Sequence, residues 1–262
     1  MCFEPNRIGP GRMDRTTGRR KYRMFRTGDA IGAFFFGSTC PLCGKLLYRR
    51  ADAKRGICTS CAVRIPLICE PFCMKCGKPL TNEQEELCTD CRKRRHYYTR
   101  HRAALSYRKD VRISLYRFKY GNQRSFARFY ARLLSARMGE SIRAWRISCI
   151  VPVPLHRDRY KKRGYNQAGI LAERIGAELG IPVDEQLLVR IRHSAPMKEL
   201  TAAERLRNLE HVFAVNGPLP PDSRILLVDD IYTTGATVDA AAKALLQAGC
   251  SAVYAVSVAI GG

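Results

Sequence analysis

The strongest hydrophobic signal in the chain is the wholly apolar run Ile225-Leu226-Leu227-Val228. Short, β-branched-rich runs of this kind form strands buried on both faces of a parallel sheet. Similar runs predict strands at 104–107, 149–154, 187–191, 212–215 and 252–259. Between them, apolar residues recur at helical spacing over 111–118, 126–138, 167–179 and 238–248, the last two closed by Gly180 and Gly249. Thr201 and Glu204 form a capping box that opens a further helix over 201–209. Strands alternating with helices predict an α/β fold, a mostly parallel sheet with helices on both faces. Ligands of such sheets sit at the carboxyl ends of the strands.

Upstream the pattern changes. Residues 1–28 are polar and Arg-rich, which predicts a disordered basic tail without the apolar core of a secretory signal. Residues 29–36 predict a short amphipathic helix. Four Cys-x-x-Cys pairs follow, in two sets: Cys40, Cys43, Cys58, Cys61 and then Cys73, Cys76, Cys88, Cys91. Each set matches tetrahedral Zn²⁺ at ribbon spacing, and Gly44 and Gly77 permit the turn that aims backbone amides at the sulfurs. Disulfides would require an oxidising compartment, and a redox pair would require one such motif on a βαβ unit. An iron–sulfur cluster would use the same thiols. Structural zinc fits best, with the two sets used in sequence order or cross-braced. Cys2, Cys69, Cys149 and Cys250 fall outside the spacing.

Composition adds two constraints. With 46% apolar residues in 262 the chain is that of a globular protein, and no apolar run has membrane-spanning length. The formal net charge of +23 favours polyanionic partners, nucleic acid or phosphorylated substrates. Residues 92–102 form a dense basic segment with two tyrosines, either a solvated linker or a holder of single-stranded nucleic acid. The expected organisation is a tail at 1–28, a zinc-ribbon module at 29–92 and an α/β domain at 93–262.

Two loops carry candidate chemistry. After Val228 come Asp229 and Asp230, then Thr233-Thr234-Gly235-Ala236-Thr237 at the start of a helix. Hydroxyls and backbone N–H groups at a helix N-terminus suit a phosphate, while paired carboxylates suit ribose hydroxyls or Mg²⁺. A βα turn with carboxylate caps is the plainer alternative. After Val153, Pro154-Leu155-His156-Arg157 lead into a run of cations through Arg163, poised for a polyphosphate or simply solvated.

The stretch 225–237 resembles the signature of the type I phosphoribosyltransferases, which bind 5-phosphoribosyl 1-pyrophosphate (PRPP). Together with the cysteine sets, Lys119-Tyr120-Gly121, the 151–156 run, Arg163-Gly164-Tyr165-Asn166-Gln167, Leu200 with Glu204-Arg205 and Asn208, the chain resembles the ComF family. The resemblance implies a type I phosphoribosyltransferase fold behind a double zinc ribbon, PRPP with Mg²⁺, and a cytoplasmic role in handling single-stranded DNA alongside DNA-processing proteins. It places Asp229 and Asp230 on the ribose as catalytic residues and Thr233, Thr234, Gly235, Ala236 and Thr237 on the 5-phosphate. Pro154, Leu155, His156, Arg157 and Arg163 would line the pyrophosphate loop, and Arg192, Lys198 and Arg205 would belong to a flexible lid. Two departures stand out. Met197 replaces the glutamine common after the lid proline, and Thr233 stands where purine-salvage enzymes carry an aspartate base. A hydroxyl cannot take a proton as a carboxylate does near neutral pH. A transferase, a non-catalytic nucleic-acid-binding factor and a PRPP sensor all remain compatible with these residues.

Overall fold

The structure, a computed structural model, describes residues 38–191 and 212–261. The tail, the helix expected at 29–36 and the helix expected at 201–209 lie outside the described residues. In chain order the elements are α1 (Arg50–Arg55), α2 (Thr59–Ala62), α3 (Thr89–Lys93), β1 (Arg100–Ser106), α4 (Lys109–Tyr120) and α5 (Phe126–Ala144). They continue with β2 (Cys149–Pro152), α6 (Arg157–Arg163), α7 (Gln167–Leu179), β3 (Leu188–Arg190), β4 (Phe213–Val215), β5 (Arg224–Tyr232), α8 (Ala236–Gln247) and β6 (Ala252–Ile260).

Four strands lie parallel in the order β1-β6-β5-β2, so the most apolar strands occupy the middle. The period of two divides β5 between two cores. Leu226 and Val228 join Val256 and Val258 beneath α4, α5 and α7. Ile225 and Leu227 join Val253 and Ala255 beneath α8. The expected α/β architecture is therefore present, with helices on both faces.

The zinc-ligand region wraps the β1 edge of this sheet. Ile68 N–H donates to the Ala104 carbonyl at 3.0 Å and Ser106 N–H to the Pro66 carbonyl at 2.9 Å. This pairing covers an edge that would otherwise present open backbone groups. Before the crossing, Cys40, Leu42, Leu47 and Ile57 pack into the α4–α5 core. After it, Cys73, Cys76 and Cys88 pack into the α8 core. The two cysteine sets thus straddle the sheet.

Four details differ from the sequence pattern. β5 continues through Asp229 and Asp230 to Tyr232, because β6 stays alongside it as far as the Tyr232–Ile260 pair. The cationic stretch after Val153 is not all loop: it forms α6, which buries none of its residues and so has no apolar periodicity. β3 and β4 form a separate antiparallel pair outside the parallel sheet. The basic segment at 92–102 is divided: Tyr98 and His101 are fully buried and Arg100 onward belongs to β1, while Arg92, Lys93, Arg95 and Tyr97 stay exposed. Among the described residues, no helix is long and apolar enough to cross a membrane.

Candidate functional site

The site is built on the carboxyl ends of two adjacent parallel strands. Pro152 of β2 pairs with Val228 of β5, and Val153 N–H donates to the Val228 carbonyl at 2.9 Å. Register alone therefore sets the loop from Pro154 to Arg157 beside Asp229 and Asp230. Asp230 is nearly buried, and Lys119 Nζ at the end of α4 lies 2.8 Å from its Oδ1. Asp229 Oδ1 accepts the Asp230 backbone N–H at 2.8 Å. Burial, with the neighbouring Asp230 charge second, pushes the Asp229 carboxyl up to about 7, against the opposing pull of Lys119. Arg190 of β3 interacts electrostatically with Asp229. Burial lowers its guanidinium to about 10, Arg159 acts in the same direction, and Asp229 opposes both.

Past β5 the chain makes the turn that starts α8. Thr233 is exposed, Thr234 and Thr237 are partly exposed, and Gly235 and Ala236 are buried. Gly235 caps the helix with φ 74° and lies under the Tyr232 ring, where an added Cβ would stand 2.7 Å from Cζ. No other residue fits, because the left-handed backbone and the ring contact both require the missing side chain. The turn leaves the first N–H groups of a twelve-residue helix and three threonine hydroxyls beside the acidic pair. Such an end favours an anion.

The Arg163–Gln167 motif acts mainly as a brace. Gly164 ends α6 in the left-handed conformation. Tyr165 donates its hydroxyl to the Phe118 carbonyl, and Gln167 Nε2 donates to the Lys119 carbonyl at 3.3 Å. Asn166 Nδ2 donates to the Val153 carbonyl at 3.1 Å while its Oδ1 accepts the Ala168 N–H, capping α7. Together they fix the end of α4, which bears Lys119, against the loop that follows β2. Arg163 donates to Tyr120 Oη at 2.8 Å and to Gln167 Oε1 at 3.1 Å. Lys119, Tyr120 and Arg163 line an open cleft of about 620 Å³. Lys119 connects it to Asp230.

The segment after the second cysteine set is tied to α8. Asp239, in the first turn of that helix, accepts from Arg94 Nη2 at 2.8 Å, from His96 Nδ1 at 2.6 Å and from the Tyr97 N–H at 2.9 Å. Next along, the Tyr98 hydroxyl meets that of Tyr232 at 2.7 Å. His101 donates Nδ1–H to the Cys76 carbonyl at 2.6 Å, stacks on Tyr232 with ring centroids 4.2 Å apart, and holds Ser257 Oγ at 2.9 Å from Nε2. Burial pushes this imidazole down to about 3, so it is neutral. The second cysteine set is thus joined to the phosphate-type turn through Tyr98, His101 and Asp239.

Within each cysteine set the four sulfurs lie inside 4.8 Å of one another, in sequence order and not cross-braced. The Cys43–Cys58 and Cys76–Cys88 sulfurs are each 3.7 Å apart. Tetrahedral Zn–S bonds of about 2.3 Å imply sulfur–sulfur edges of about 3.8 Å. The donor sets fit Zn²⁺ in both places. Gly77 (φ 75°) turns this knuckle onto β1, its N–H donating to the Cys73 carbonyl at 2.8 Å.

The predicted residues Asp229, Asp230, Thr233 to Thr237 and Pro154 to Arg157 gather at one sheet edge. Arg163 stands in the adjoining cleft, and Arg192, Lys198 and Arg205 lie outside the described residues. No local sequence pattern assigns a role to Lys119 or Arg190. The only available signal was Lys119-Tyr120-Gly121, which names the residues and not their contacts.

Comparison with known proteins agrees with this arrangement. Residues 31–92 match the family described as "Double zinc ribbon domain", and residues 161–260 match the family described as "Phosphoribosyl transferase domain". The chain is 32% identical over 220 residues to "Competence protein F" of Haemophilus influenzae, covering 82% of this chain and 93% of that one. It is 30% identical over 227 residues to "Competence protein ComFC" of Streptococcus pneumoniae, covering 82% and 96%. It is also 30% identical over 217 residues to "DNA utilization protein YhgH" of Salmonella typhimurium, covering 82% and 93%.

Proposed function

Since this chain belongs to the competence protein F and ComFC family, we propose that it binds PRPP with Mg²⁺ and acts in single-stranded DNA uptake or processing during natural transformation. The observation that carries the first half is the register of β2 against β5, which brings a cationic loop and an acidic pair out of one sheet edge. A sugar bearing a phosphate at one end and a pyrophosphate at the other needs both, side by side. Asp229 and Asp230 accept from the ribose hydroxyls. The N–H groups opening α8, with Thr233, Thr234 and Thr237, take the 5-phosphate, and the Pro154–Arg157 loop takes the pyrophosphate. Arg192, Lys198 and Arg205 are the proposed lid. Mg²⁺ bound with PRPP supplies charge neutralisation on the pyrophosphate leaving group.

The second half is supported by the names of the relatives, competence and DNA utilization, and by the +23 charge. A cytoplasmic location and DNA-handling protein partners belong to the same reading.

Catalysis would be displacement of pyrophosphate at the anomeric carbon by an amine or a base. The experiment is pyrophosphate release from PRPP and Mg²⁺ across such acceptors. Release that disappears in Asp229→Ala and Asp230→Ala supports the transferase, and release that survives both contradicts it. Binding without release from any acceptor would make the protein a PRPP sensor.

A further inference from the structure

α4 has two apolar faces where a surface helix ordinarily has one. Val111, Leu115 and Phe118 face the core, as periodicity predicts. Ile113, Tyr116 and Tyr120, at spacing i, i+3, i+7, lie on the outside, with Tyr116 64% and Tyr120 51% exposed. The two tyrosine rings approach to 4.9 Å between centroids, and the Arg163 guanidinium covers Tyr120 at 4.6 Å. This makes a row of three flat groups, Tyr116, Tyr120 and Arg163, with Tyr116 at its solvent end. The row borders the open cleft that Lys119, Asn122 and Lys162 help to line. α4 and α6 carry four and five Lys or Arg residues against one aspartate each.

We propose that this surface binds a nucleic-acid single strand, its bases stacked on the Tyr116–Tyr120–Arg163 row and its phosphates on the cations of α4 and α6. Flat exposed rings and dense cations at one place match the two chemistries of a single strand. Base stacking is sequence-tolerant, since every base has a π-face. A duplex keeps its bases stacked inside and offers the row nothing. The strand would enter beside the acidic pair, because Lys119 belongs to both the cleft and the Asp230 ion pair. This deepens the DNA-handling reading above by naming where the strand is held, and it does not depend on PRPP. It is separate from residues 92–102, where Tyr98 is buried, Arg94 and His96 are held by Asp239, and Tyr97 stays exposed with Lys243 over its ring.

The test is fluorescence anisotropy with a short labelled oligodeoxythymidylate, on the full zinc-loaded chain. Tyr116 is exposed, so its replacement leaves the fold alone. Tyr116→Ala is expected to weaken binding roughly 5- to 150-fold, the range for loss of one stacked base. Tyr116→Phe is expected to restore it. An abasic strand of equal length should bind wild type and Tyr116→Ala alike, and a duplex should bind wild type more weakly than the single strand. Equal affinity of wild type and Tyr116→Ala for the oligodeoxythymidylate would overturn the proposal, and so would preference for the duplex. PRPP binding, measured on the same samples, separates the two readings: a chain that binds the strand through Tyr116 but never binds PRPP keeps this surface and loses the ribose site.

Discussion

The Asp239 carboxylate holds His96 Nδ1 at 2.6 Å, joining the first turn of α8 to a segment 143 residues earlier in the chain. Arg94 and the Tyr97 N–H complete the clamp. Removing one partner of a buried charged group typically costs about 3–5 kcal/mol, here because the buried His96 and the Tyr97 N–H lose their acceptor. Asp239→Ala should therefore lower stability by about that amount in urea unfolding, with Asp239→Asn milder because Oδ1 can still accept the Tyr97 N–H. A loss under about 1 kcal/mol would mean the clamp is cosmetic.

His101 predicts an acid sensitivity. Its imidazole is neutral with a folded-state pKa of about 3, against 6.5 when unfolded. Between those values the unfolded chain holds the extra proton, so stability rises with pH across the window. The contribution is complete above pH 6.5 and is lost as pH falls toward 3, by roughly 5 kcal/mol over the whole span. Imidazole NMR should show His101 unprotonated from pH 8 down to about 5. A titration midpoint between 6 and 7 would contradict the buried Cys76–His101–Ser257 arrangement.

Zinc removal is expected to reach the sheet. Cys40 and Cys61 of the first set and Cys73, Cys76 and Cys88 of the second lie in the same two cores as the helices, and the crossing segment covers β1. Titration with a colorimetric chelator under denaturing conditions should find two ions per chain. Stripping both from the folded protein should lower the midpoint of the helical circular-dichroism signal as a whole, because metal affinity is part of folding free energy. Helices that melt at an unchanged temperature after both ions are gone would show that the ribbons and the sheet are independent.

Much of this was readable from residue order, for reasons that particular elements make plain. Ile225–Val228 announced a buried parallel strand because both its faces are apolar, and the Gln167–Leu179 helix matched its predicted limits because Asn166 and Gly180 cap it. The zinc ligands were legible because metal spacing is local. The apolar run predicts β5 only as far as Val228, because Asp229, Asp230 and Tyr232 break it, and only the pairing with β6 carries the strand four residues further. α6 shows no helical pattern in the sequence because it buries nothing. The roles of Asp239, Lys119 and Arg190 depend on partners far along the chain, which no local pattern records. The tyrosines of the basic segment divide for the same reason: Tyr98 is buried against Tyr232 while Tyr97 stays exposed, as Tyr116 and Tyr120 do on α4.

Asp229, Asp230 and the turn opening α8 make up the proposed ribose-phosphate site. Isothermal titration of the zinc-loaded chain with PRPP, with and without Mg²⁺, tests it most directly, run beside Asp229→Asn/Asp230→Asn. Saturable one-to-one binding is predicted, strengthened by Mg²⁺ and weakened at least about tenfold in the double variant, equivalent to about 1.4 kcal/mol. Equal heats and affinities in the two proteins, with the double variant's melting unchanged, would contradict it.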